Sequence, residues 1–425
     1  MKRIVSLMFL LFVGGSALAE TVLIRAGGYV DVDQGKLVEP AVVLVEDGRI
    51  RSVNPDTPPQ ADRSIDLGDR ILLPGLMDMH VHLDFDFAGG DFGIVVTESG
   101  SEGTLVGVKN AELTLMAGFT TVRNIGQVHP TLDLIGVALA NASDAGHIRA
   151  PRIVPAGHMI TILGGHGDLS MAEGLSEGLL ELDPARGVIS GVDEAVRATR
   201  FQIKHGAKTI KIHATAGVLS LEESVGAQQL TDEEMRAIVE EAGRHDIPVA
   251  AHAHGTEGIK AAIRAGVDSI EHGSMLDDEA IELLIENDVV LVPTSGLMDR
   301  LDPTMLPPRK RAKAEYVMPR AKESLSKAIA AGVKVAVGTD APILPHGKNA
   351  FEVVVMVERG MTPAQALRSA TIVPAELIRM DDIGQIQEGM HADLIAVAAN
   401  PLDDIGTLEN VSFVMKAGRV YKLVD

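Results

Sequence analysis

Eight apolar runs, most of them separated by helical text, constrain the fold of this chain more than any other feature. They read GLMDMHVHL, GFTTVRNIG, RIVPAGHMI, TIKIHATAG, IPVAAHAHG, VDSIEHGS, VVLVPTS and VKVAVGTDAP. Short runs of this kind are buried strands, and strands that alternate with helices build parallel sheets. The helical text carries its own start signals. Thr231 is followed three residues later by Glu234, a capping box, and Thr362 is followed by Pro363. Eight such units predict a parallel (β/α)8 TIM barrel. A doubly wound open sheet is the alternative, but no glycine-rich dinucleotide fingerprint follows the first strand.

The flanks speak a different language. From Thr21 to Leu73 short β-rich runs are broken by GG, DQG and EDG, the punctuation of hairpins. The far end returns to it in ADLIAVAANP and VSFVMKAGRVYKL. Neither end is long enough to fold alone, so residues 20–73 and 381–425 are expected to pair into one small β-sandwich beside a barrel of residues 74–380. Residues 1–19 have the form of a secretory signal peptide: Lys2 and Arg3, an apolar run from Ile4 to Val13, then Ala17-Leu18-Ala19. The run is too short to span a bilayer, although a short membrane anchor is the alternative. The mature chain is thus expected to begin near Glu20 and to be exported, to the periplasm or beyond. With no cysteine it has no disulfides, no thiolate ligands and no lipoprotein anchor. The net charge of −21 argues against nucleic acid and anionic membranes as partners.

Active sites of such barrels lie at the C-terminal ends of the strands. Those ends carry His80 and His82, Lys211, His252 and His254, His272 and Asp340, from five different runs. Asp78, His80 and His82 share one strand face, as do Lys211 and His213. Imidazoles and a carboxylate converging from separate strands are what Zn2+ or a similar ion requires. A single histidine at a strand end is ordinarily a packed residue. Five motifs at five strand ends in order are a constellation. Lys211 stands apart, because a buried lysine is costly unless it is paired or its chemistry is changed.

PGLMDMHVH, GFTTVR, TDAPILPHG and GQIQEGMHADLIAV together resemble the amidohydrolase superfamily, and the resemblance spans the whole mature chain. Within it, ILGGHGD, IKIHATAGVLS and AHAHG resemble the subgroup of Xaa-Pro dipeptidases, Arg/Lys carboxypeptidases and ochratoxin-hydrolysing amidohydrolases. The resemblance implies two divalent ions, with zinc expected, bridged by an N6-carboxylysine at Lys211. His80, His82 and Asp340 match the ligands of the more buried ion, and His252 and His272 those of the second. His254 shares the face of His252 one step further out, where it is expected to polarise the scissile carbonyl or hold the tetrahedral oxyanion, and His166, in the glycine-rich GGHGD loop, matches a substrate contact. The implied reaction is hydrolysis of the amide of a dipeptide or N-acyl amino acid, with Asp340 moving the proton. A homo-oligomer is expected.

Some positions depart from that pattern. Asn124 replaces a frequent Asp, and Leu230 stands where some relatives have an aromatic side chain that meets substrate. His213 is unusual for its strand; it extends the substrate site, pairs with an acidic neighbour, or packs in the core. His346 is placed near the entrance. Asp84, Asp86 and Asp91, just past His82, either favour a cationic substrate or form a solvated acidic loop. Two other functions fit parts of the pattern: a mononuclear deaminase or cyclic-imine hydrolase, and a non-catalytic periplasmic metal-binding protein. The first generally lacks the lysine, and the second has no need of Asp340.

Overall fold

The computed structural model describes residues 21–57, 59–87, 97–171, 175–176, 178–220 and 222–424, so the expected signal segment and Asp91 lie outside the described residues. The N-terminal segment forms β1 (Thr21–Ala26), β2 (Gly28–Asp31), β3 (Lys36–Val38), β4 (Ala41–Glu46), β5 (Arg49–Val53), β6 (Arg63–Asp66) and β7 (Ile71–Pro74). The central segment forms β8 (Leu76–Val81), β9 (Phe119–Asn124), β10 (Arg152–Pro155), β11 (Thr161–Ile162) and β12 (Val188–Ile189). It continues with β13 (Ile210–His213), β14 (Val249–Ala253), β15 (Ser269–His272) and β16 (Val290–Val292). The C-terminal segment adds β17 (Leu394–Val397), β18 (Phe413–Lys416) and β19 (Arg419–Leu423).

The two ends of the chain meet in one sheet. Its order is β19-β18-β17-β7-β2-β3, with Leu394 opposite Pro74 and Val397 opposite Ile71. A second sheet, β5-β4-β1-β6, lies against it through a shared apolar cluster that includes Ile24, Val43, Leu72, Leu394 and Phe413. Side chains alternate across a strand, and here both faces are used. Leu72, Leu394 and Ala396 enter that cluster, whereas Ile71, Leu73, Ile395 and Val397 enter the large central core. The six-stranded sheet therefore joins the small unit to the central one by burial on both sides.

The central strands are parallel, in two larger sheets ordered β10-β9-β8 and β13-β14-β15-β16 and a two-stranded sheet of β11 and β12. Helices start where their caps predict. The helix Asp232–Gly243 has the Thr231/Glu234 capping box and Pro363–Ser369 has a Thr362/Gln365 box. The first of these buries a stripe of Met235, Ile238 and Ala242 in the central core. Between the two sheets, Ile160 N–H donates to Lys211 O and His213 N–H donates to Ile160 O. The eighth run bonds to both neighbours without a continuous ladder: Ala336 N–H reaches Leu291 O, and Met79 N–H reaches Val337 O. Asp340 has a left-handed φ of 56° and Pro342 has no N–H to donate, so a regular strand cannot continue there.

Gly75 is the one-residue link between β7 and β8, and it sets the first site strand against the six-stranded sheet. Its N–H donates to Asp393 O at 2.8 Å, and a Cβ there would fall 2.0 Å from Thr120 Oγ1 and 2.7 Å from Thr120 Cβ. Gly75→Ala should overpack this junction at a cost of about 1–3 kcal/mol. Calorimetry should show a lower thermal midpoint; an unchanged midpoint would mean the link tolerates a side chain.

Candidate active site

Two histidines at the end of the first site strand are held in one tautomer by what their Nδ1 atoms meet. His80 Nδ1 donates to Glu271 Oε2 at 2.7 Å. Glu271 Oε1 accepts from Arg123 Nη2 at 2.7 Å and from Ser269 Oγ at 2.6 Å, and neither Arg123 nor Glu271 is exposed. His82 Nδ1 donates to the Gly126 carbonyl at 2.8 Å. A carboxylate bound to a guanidinium and a carbonyl oxygen can only accept, so both rings carry hydrogen on Nδ1 and a lone pair on Nε2. Both Nε2 atoms lie 3.5 Å from Asp340 Oδ1. Ligand atoms ~2.0–2.1 Å from a tetrahedral ion sit about 3.3–3.4 Å apart, and each of the two Nε2–Oδ1 separations is close to that.

Asp340 and its counterpart on β15 are both held in a strained backbone. His272 has φ 72° and Asp340 φ 56°, a region that costs a non-glycine residue about 1–3 kcal/mol and recurs at functional sites. Asp340 N–H donates to His80 O and His82 N–H to Ala341 O, which ties the first and last site segments together. His272 Nδ1 pairs with Thr294 Oγ1 at 2.9 Å and His254 Nδ1 with Ser274 Oγ at 2.8 Å, leaving both Nε2 atoms free to face inward. Donor atoms of His80, His272 and Asp340 form one group within 4.8 Å; those of His252, His254 and His272 form another. The β13–β14–β15 register, with His213 beside His252 and Ala253 beside His272, brings these rings together.

Lys211 lines the same cavity as both groups, is 1% exposed, and its Nζ makes no hydrogen bond or ion pair with a described residue. Burial lowers its ammonium to about 8, with Glu271 and Asp340 pulling the other way. Roughly a tenth is then neutral amine at pH 7. Burial raises the Asp340 carboxyl to about 7 against the pull of Lys211. It also lowers His82 to about 4 and His254 to about 3, so the imidazoles are neutral and able to ligate. Asp78 shares the ligand face but is spent on structure. It accepts from the backbone N–H groups of His80 and Thr339, from Thr339 Oγ1 and from Asn349 Nδ2.

His80, His82, Lys211, His252, His254, His272 and Asp340 line a cavity of about 490 Å3, together with His166 and His213. Its outer wall is apolar, including Phe85, Val128, Leu169, Val218, Leu297 and Met298, and it contains Lys310 and Glu222. Lys313 ties down one rim, donating to the carbonyls of Gly217, Ser220 and Glu222. Gln229 accepts from His166 N–H and donates to Glu222 Oε1.

Several expectations are corrected. His346 is not at the entrance: it is buried, bonded to Thr114 Oγ1 and to the His82 carbonyl. Leu230 is wholly buried in the central core, so no substrate contact is lost there. Asp84 accepts from Val128 N–H, His129 N–H and the His129 ring, while Asp86 pairs with Lys109, so neither forms an acidic substrate loop. Asn124 lies off the ligand face and accepts from Leu83 N–H, just past His82. His213 has no acidic partner among the described residues; it lines the cavity wall. Sequence reasoning missed Glu271 and Arg123. Their signal was two opposite charges inside apolar strand runs, since neither survives burial alone. Glu271→Gln should weaken metal retention about 10–100-fold, the usual effect of losing a ligand's hydrogen-bond partner. Chelator competition measures it, and unchanged retention would show that His80 is oriented by packing alone.

Known proteins give this geometry a context. The family model described as "Amidohydrolase family" matches residues 71–424. The ochratoxinase of Aspergillus niger is 33% identical over 95% of this chain and 87% of its own length. The crystal structure of a Xaa-Pro dipeptidase with methionine in its active site superposes with a TM-score of 0.88 at 38% identity, over 95% of this chain and all of that one. A prolidase complexed with N-methylphosphonate-L-proline superposes at 0.86 and 31% identity, over 95% and 100%. The fold is therefore of the TIM-barrel type, the chain is a hydrolytic enzyme, and it belongs to the amidohydrolase family.

Proposed function

We propose that this chain is an exported, binuclear-metal amide hydrolase that cleaves dipeptides or N-acyl amino acids, in the manner of a Xaa-Pro dipeptidase or carboxypeptidase. The observation that carries the reading is the approach of His80 and His82 Nε2 to Asp340 Oδ1 beside the unpaired Lys211, at the base of a mostly apolar cavity. In this reading the parallel strands close as a (β/α)8 barrel through the 334–341 segment, and the two outer sheets form a β-sandwich. His80, His82 and Asp340 hold one ion, probed first as zinc, and His252 and His272 the second. Lys211, as N6-carboxylysine, lies between them. The ions supply, when bound, an acidified water and a Lewis acid.

The remaining chemistry falls to the chain. Asp340 accepts the proton of the attacking water and returns it to the leaving amine. His254 accepts the Ser274 hydroxyl hydrogen at Nδ1 and keeps hydrogen on Nε2, where it donates to the oxygen of the carbonyl under attack. His166 contacts the substrate from its loop. The apolar wall takes an apolar side chain, while Lys310 and Glu222 contribute one cation and one anion for substrate termini. Glu222 Oε2 is buried with no partner, which favours a substrate with a free amine. A mass-spectrometric screen of dipeptides, N-acyl amino acids and ochratoxin A tests this. Release of apolar C-terminal residues from free dipeptides is expected, and turnover of cyclic imines or aminated heterocycles alone would overturn it. A homo-oligomer is part of the same proposal.

Two variants test the roles. His254→Ala should lower kcat on the order of 10²–10³-fold with metal content nearly intact; loss of an ion would make His254 a ligand instead. Lys211→Ala should lose at least one ion and nearly all activity while staying folded. Acetate or propionate with zinc should then restore activity saturably, by filling the carbamate's place. Rescue by amines rather than acids would mean that Lys211 acts through its positive charge.

A further inference from the structure

The cavity holds more imidazole than the binuclear reading uses. One ring nitrogen each from His166, His213 and His252 lies within 4.8 Å of the other two. The His166 and His252 rings stack at 4.3 Å, and His213 stands edge-on to them at 4.9 and 5.2 Å. His166 Nδ1, His213 Nδ1 and His252 Nε2 are all buried without a hydrogen-bond partner. One orphaned buried nitrogen is unusual in a folded protein, and three from adjoining rings call for a shared partner. Two glycines make room for the nest. A Cβ on Gly217 would fall 2.2 Å from His166 Cε1, and one on Gly167 2.4 Å from His213 Cε1.

We propose that His166, His213 and His252 form a third divalent-cation site in the cavity wall, suited to a borderline ion such as Zn2+. The inference rests on the binuclear reading in one respect: His252 serves the second ion through one ring nitrogen and, once its N–H proton is released to solvent as the ion binds, this site through the other as an imidazolate. Two neutral imidazoles, the His252 imidazolate and a water complete a tetrahedral set. No carboxylate belongs to the set and two cations lie nearby, so this ion binds last and most weakly. It occupies His166, which otherwise meets substrate, and excess zinc therefore competes with substrate.

Equilibrium dialysis against rising Zn2+, with bound metal measured by elemental analysis, tests the site. The wild-type chain should bind one ion more than His213→Ala, and one more than His213→Gln, which keeps the bulk should alanine unsettle the wall. Excess zinc should raise KM in the wild type at unchanged kcat, and this effect should vanish in both variants. The ions retained by the variants count the catalytic centre, so a value other than two speaks against the binuclear reading alone. Equal binding by all three proteins, or a loss of two ions with His213, would overturn the third site.

Discussion

The active end of this molecule depends on a carboxylate that never touches solvent. Glu271 sits between the Arg123 guanidinium and the His80 ring, with Ser269 completing its shell. Removing one partner of such a buried pair leaves an uncompensated charge, at a cost of about 3–5 kcal/mol. The pair therefore enforces itself. By accepting the Nδ1 hydrogen of His80, Glu271 also decides which nitrogen of that ring can ligate. Arg123 Nε donates to the Met79 carbonyl, so the same guanidinium fixes the strand backbone one residue before His80. Charge, tautomer and backbone position are set by one group of side chains.

Much of this was legible in the chain and some was not, for physical reasons. Strand-end histidines are visible because a polar ring has no reason to terminate five apolar runs in order. Capping boxes are visible because both partners lie within four residues. Lys211 is visible because a lysine inside IKIHA must be changed or paired. What escapes is whatever depends on partners far away in sequence. His80 and Glu271 are 191 residues apart, and His346 and His82 264. Asp84 looks like an acidic substrate loop until the backbone of Val128 and His129 folds back upon it. The eighth strand read as regular, and its left-handed Asp340 appears only in three dimensions.

The cavity divides labour by polarity. Its base is imidazole and carboxylate, and its outer wall is apolar with a single rim held by Lys313. An apolar wall lowers the local dielectric, so each charge at the base acts more strongly than it would in water. The same burial pushes Asp340 and Lys211 toward neutrality from opposite sides, to about 7 and about 8.

The pairing of β7 with β17 has a consequence for how the chain is made. Until residues 394–397 leave the ribosome, the strand that leads directly into the His80 strand has an open edge. β17 also buries Ile395 and Val397 against the central core, so its late arrival leaves apolar surface uncovered on both sides. Unpaired edges and uncovered apolar faces invite aggregation in nascent chains. A transcript cut short by some thirty codons, about the span from β17 to the terminus, would thus encode every catalytic side chain and still yield material for proteolysis.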